Sequence, residues 1–167
     1  MKKLITLVTL MFVLVGCGSK TVTTSPAEIG KAVEGNALSY EIISIEANTG
    51  LKPTAAPSDK LEYPIKEEGT VWVSVKAKVT NNTKDELDSK TDLLGTLKVG
   101  SEVIKTTTFF EISNQEKFSQ FERLQPKADA VIQFAAQVPA DVLNQELTFD
   151  VNVKDALAIS NTFKVAQ

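Results

Sequence analysis

The sequence predicts an all-β protein, an antiparallel β-sandwich of about seven or eight strands. Three observations carry this. From Ile29 onward apolar residues recur mainly at every second position, no stretch sustains a helical period, and the folded part of roughly 130 residues has the size of one sandwich. The whole chain of 167 residues, with 43% hydrophobic and 23% charged residues, fits one domain.

The elements follow in chain order. Ala37–Ala47 reads as a first strand. The segment from Ala47 to Gly69 contains Pro53, Pro57, Pro64, Gly50 and Gly69, and is longer than the roughly 12–15 residues beyond which a loop in a compact domain is usually functional or disordered. Leu61, Tyr63 and Ile65 alternate within it, which predicts an edge strand or a flap over the sheet, with Trp72 beneath it. Val71–Val79 is the clearest strand: Val71, Val73, Val75, Ala77 and Val79 share one face, and Ser74, Lys76 and Lys78 the other. Leu93–Val99 and Glu102–Glu111 follow, joined by Gly100-Ser101, a two-residue loop suited to a tight hairpin. Ser113-x-x-Glu116 has the form of a capping box, and Phe118, Phe121 and Leu124 at spacing three predict a short helix or 3-10 segment. Ala130–Val138 places Ile132, Phe134 and Val138 inward, Pro139 to Leu143 suits a single helical turn, and Leu147–Val153 and Ile159–Val165 complete the strands.

The start of the chain carries an address. Lys2 and Lys3 precede twelve uncharged residues, Leu4 to Val15, too few to cross a bilayer but the right architecture for a secretory signal peptide. Leu14-Val15-Gly16-Cys17 then resembles a bacterial lipobox, which implies cleavage before Cys17 and a diacylglycerol on its sulfur. The expected organisation is a signal peptide over 1–16, an acylated cysteine and flexible tether over 17–28, and the sandwich over 29–167. Two acyl chains give stable anchoring. The expected location is therefore the extracytoplasmic face of the cell membrane, with a Gram-positive envelope preferred. Within the leader, Leu7 to Val13 is similar to the short peptide pheromones that some Gram-positive bacteria release from lipoprotein signal peptides.

Composition excludes much chemistry. There is no histidine and one cysteine, so no Ser-His-Asp or Cys-His nucleophile, no zinc site built on imidazoles or paired thiolates, and no intrachain disulfide can form. Without Lys2 and Lys3, 16 basic residues face 21 acidic ones, a net charge of −5 that suits neither nucleic acid nor anionic lipid. No cofactor is expected. Asp85, Asp88 and Asp92, with Glu86, form the densest acidic segment. It reads as a solvated turn, with a weak metal site and a carboxylate hydrolase drawing on Glu67 and Glu68 as rivals.

Several segments resemble the telokin-like, immunoglobulin-type domain of unknown function found in bacterial lipoproteins. The strand ending in Thr80-Asn81-Asn82-Thr83 matches the family's central strand and its turn. Leu124-Gln125-Pro126-Lys127, followed by Phe134 to Pro139, echoes a later turn and strand, with Lys127 where the family usually has glycine. The resemblance covers about Ala27 to Val165 and implies a surface binding or accessory module without catalytic residues. The expected partners are the membrane through Cys17 and either another envelope protein or a small ligand. The candidate contact region is the long loop with Leu61, Tyr63, Ile65 and Trp72, and removal of Pro53 to Lys60 is expected to abolish binding while leaving thermal stability nearly unchanged. A passive structural or envelope-stress role is the alternative.

Overall fold

A computed structural model describes residues 22–56, 58, 61–112, 117–120 and 122–165. In chain order the strands are β1 (Ser25–Pro26), β2 (Ala32–Val33), β3 (Leu38–Asn48), β4 (Gly50–Leu51), β5 (Tyr63–Pro64), β6 (Thr70–Asn81), β7 (Leu87–Asp88), β8 (Leu93–Val99), β9 (Glu102–Lys105), β10 (Thr107–Ile112), β11 (Lys117–Ser119), β12 (Arg123–Leu124), β13 (Asp129–Pro139), β14 (Leu147–Val153) and β15 (Ala156–Phe163). A 3-10 turn, Ala140–Asn144, follows Pro139, whose fixed φ starts it. The protein is a β-sandwich. One sheet runs β1-β15-β14-β8-β9 and the other β11-β10-β13-β6-β3-β2, with two-stranded ribbons β12-β7 and β4-β5 beside them.

The period-two pattern explains the packing. β6 and β13 pair without interruption from Thr70 opposite Pro139 to Thr80 opposite Asp129. That register turns Val73, Val75, Ala77 and Val79 inward together with Ile132, Phe134, Ala136 and Val138. Leu93 and Leu97 of β8, Leu147, Phe149 and Val151 of β14, and Ile159 of β15 meet them from the other sheet. The Phe134 and Phe149 rings cross this interface with centroids 5.3 Å apart. Each fully buried side chain of this size contributes about 1.5–3 kcal/mol.

Several predicted elements are corrected by the structure. The strand expected over 102–111 is two strands, because the chain leaves the five-stranded sheet at Thr106 and enters the six-stranded one at Thr107. The helix expected to carry Phe118 and Leu124 is replaced by strands β11 and β12; Ser113, Glu116 and Phe121 lie outside the described residues. The spacing of three misled because the two side chains serve different clusters. Phe118 packs edge-on to Phe109 at 5.6 Å on the outer face, while Leu124 is buried in the main core opposite Leu87. The tether expected over 17–28 ends sooner: Ser25–Pro26 pair in parallel with Asn161–Thr162, so this part belongs to the domain.

Candidate functional site

The long loop does form a flap, and it lies on the outer face of the six-stranded sheet. There Trp72, Phe109 and Ala135 make a second apolar cluster with Leu51, packed by Tyr63, Ile65 and Phe118. The Trp72 indole donates to the Pro64 carbonyl at 3.3 Å, and the Tyr63 and Phe109 rings lie 5.7 Å apart. The sheet's own amides stitch the flap down. Gln133 accepts from Thr54 N at 2.7 Å and donates to Lys52 O at 3.3 Å, while Gln137 accepts from Lys66 N at 2.9 Å. Pro53 and Thr54 are buried. The expectation that removal of 53–60 is thermally silent is therefore corrected at Pro53 and Thr54, which pack against the sheet; residues 57, 59 and 60 lie outside the described ones. Tyr63, Ile65 and Trp72 face inward rather than outward to a partner, and Leu61 is half-buried.

The acidic segment is dispersed rather than assembled. Asp85 pairs with Lys154 at 2.7 Å, and this hydrogen-bonded ammonium holds its carboxyl below the ordinary range. Asp88 accepts from Lys90 N at 2.8 Å and faces Arg123 at 3.6 Å, and Asp92 accepts from Asp88 N at 3.0 Å. Glu86 is held low first by Gln125 and then by Arg123. Among the described residues no three acidic, cysteine or histidine side chains come together in a way that could hold a metal ion. Glu67 and Glu68 stand before the first residue of β6 and Asp85 beyond its last, a strand length of roughly 35 Å apart, so they do not converge. Asp150, the one buried carboxylate among the described residues, contacts Lys98 at 2.6 Å across β8 and β14.

A cleft with a largely apolar lining lies elsewhere. β9 covers β8 only from Thr96 to Val99, whereas β8 begins at Leu93. The chain crosses to the other sheet at Thr106, whose N donates to Gly95 O at 3.0 Å, so among the described residues β9 stops short of Leu93 and Leu94, and a cleft of about 410 Å³ opens there. Leu94 supplies the exposed apolar side chain at its rim, with the buried Leu93 behind; Ser89, Thr106, Thr108, Gln120 and Asn152 supply hydroxyls and amides, and Lys90 and Lys105 its charge. Four other depressions each carry at least one carboxylate in their lining, and this one carries none. Gly95 lets its neighbours close in beside the cleft, since a Cβ there would run into Thr106 Oγ1 and the Phe134 ring. Thr106 Oγ1 is buried without a hydrogen-bond partner.

With this geometry in hand, comparison with solved structures gives three likenesses. An uncharacterised β-sandwich protein from Clostridium difficile 630 superposes with a TM-score of 0.65 at 18% identity, over 88% of this chain and 99% of its own. The chain shares its fold with bacterial β-sandwich proteins. A conserved hypothetical protein from Bacillus anthracis aligns at TM-score 0.51 and 10% identity, over 79% of this chain and 92% of its own. A functionally unknown protein from Listeria monocytogenes EGD-e aligns at TM-score 0.50 and 10% identity, over 84% and 85%. No family model and no curated protein matches the chain.

Sequence reading missed the cleft for a definite reason. With 102–111 taken as one strand, β8 is covered along its whole length and Gly95 is an ordinary strand residue. The run Thr106-Thr107-Thr108 was the available signal, since hydroxyls on the inner face of a sandwich mark an edge that is not filled with apolar side chains. The lipobox residues Leu14, Val15, Gly16 and Cys17, and the peptide Leu7 to Val13, lie outside the described residues.

Proposed function

We propose that this protein is a lipid-anchored, extracytoplasmic binding module of the bacterial envelope, non-enzymatic, of the telokin-like immunoglobulin type. Its working site is the cleft beside Gly95, and its ligand is a small molecule. The observation that carries this reading is the placement of the cleft. The chain enters the fold through β1, at one edge of the five-stranded sheet, and the cleft opens at the other, about 19 Å away across four strand spacings. An anchored domain so arranged holds its anchor and its cleft apart. The telokin-like assignment draws support from the turn between β12 and β13: Lys127, where the family usually has glycine, adopts a left-handed φ of 64°.

The test is a thermal-shift screen with amino acids, short peptides and sugars, run on the native domain and on Leu94→Trp, which fills the cleft from its half-exposed rim. A ligand that raises the melting temperature of the native domain and not that of the variant supports the reading. A panel without effect on either favours a passive structural role, and equal shifts in both place the site elsewhere.

A further inference from the structure

The segment just downstream of Cys17 is fastened to the sandwich. Thr24 Oγ1 and Ser160 Oγ share a hydrogen bond of 2.8 Å, the Asn161 amide donates to Ser25 O at 3.3 Å, and Ala27 N donates to Thr162 O at 2.8 Å. The chain then crosses to the other sheet, where Gly30 N donates to Ile42 O at 2.8 Å. Because β1 runs parallel to β15, it enters from the end of the sandwich at which β15 begins, beside the turn between β2 and β3. Only four residues separate Cys17 from Val22. Fully extended, they span at most about 18 Å.

That corner carries open apolar side chains beside the hydroxyls of Thr23 and Ser25 and the amide of Asn36. Val33 and Leu157, 37% and 41% exposed, line one depression of about 460 Å³ together with Val22, and Glu34 is its one charged residue. Ile29, at 62% exposure, lies on the crossing, where it bridges to Ile42.

Resting on the lipid-anchor reading, we infer that this corner is seated on the lipid surface itself, with Val22, Val33 and Leu157 against the interface. Two observations converge on that occupant: the short reach to the acylated residue and the apolar character of the corner it reaches. The net negative charge of the mature chain and the presence of Glu34 make the contact apolar rather than electrostatic, so neutral lipid is engaged at least as well as anionic lipid. The diagonally opposite corner, the Gly100-Ser101 turn, stands about 30 Å away by strand spacing and rise.

The experiment uses the full chain, purified from membranes and reconstituted into phosphatidylcholine vesicles. Val33→Cys and Ser101→Cys are each labelled with an environment-sensitive fluorophore, and quenching by headgroup spin-labelled lipid is recorded. Acylation leaves the introduced thiol as the one available. The expected result is quenching at least about threefold greater at position 33 than at 101, unchanged or weaker when phosphatidylglycerol is added. A chain shown by mass to carry diacylglycerol, with both labels equally unquenched, overturns this inference and leaves the anchor standing. A chain without the lipid overturns both.

Discussion

The side-chain amide of Asn81, a fully buried residue at the end of β6, donates to the Leu124 carbonyl at 3.0 Å. The same nitrogen donates to Asp85 O at 2.8 Å, and the Asn81 carboxamide oxygen accepts from Thr83 N at 2.9 Å and Thr83 Oγ1 at 2.7 Å. One side chain thus closes the turn after β6 and fixes it to β12. Asn81→Ala removes these bonds and takes the buried donor from Leu124 O, and the expected loss is about 1–3 kcal/mol. Urea denaturation checks it, with the midpoint falling and the m-value unchanged.

The flap is a structural layer, and Gln133 is its main fastening. Gln133→Ala leaves the buried Thr54 N without its acceptor, so stability falls by about 1–3 kcal/mol. Trp72, the sole tryptophan, reports on it directly. Its fluorescence becomes more accessible to acrylamide in the variant, and removal of 53–60 lowers the melting temperature as well.

The left-handed φ of 64° at Lys127 gives a prediction of opposite signs at one position. Lys127→Val places a β-branched side chain in that region and costs about 1–2 kcal/mol, whereas Lys127→Gly relieves it and leaves stability equal or slightly higher. The exposed bond from Lys127 Nζ to Asn82 O, at 2.9 Å, contributes little in water. Thermal melts of the two variants separate these effects.

The pH profile of stability follows from three groups. Asp85 is held low by Lys154 and Glu86 by Gln125 and Arg123, so their contribution is present above the unfolded carboxylate pKa and is lost as pH falls through the lower folded values. Burial raises the Tyr40 pKa, so the neutral phenol stabilises the fold below its unfolded value and that contribution is lost as pH rises through the folded one. With no histidine, stability is flat between about pH 6 and 8. Melts across pH check this, and Asp85→Asn shrinks the acid limb slightly.

The legible part of the fold was the part governed by alternation. Leu93–Val99 and Leu147–Val153 begin and end where the sequence places them, because each faces the core with every second residue. The flap over Trp72 was also readable from Leu61, Tyr63 and Ile65. Less legible were features decided by tertiary partners. Phe118 and Leu124 share a helical spacing while packing on opposite faces of one sheet, and Thr106 changes sheets without a proline or glycine to mark the corner. The cleft depends on that corner, so it was hidden with it.

The central claim is that a small-molecule binding domain is held at the membrane by Cys17. Intact mass of the protein taken from the membrane fraction tests it most directly. The account predicts a chain that begins at Cys17, carries diacylglycerol and leaves the membrane only with detergent. A protein recovered in the soluble fraction with an unmodified Cys17 thiol would contradict it.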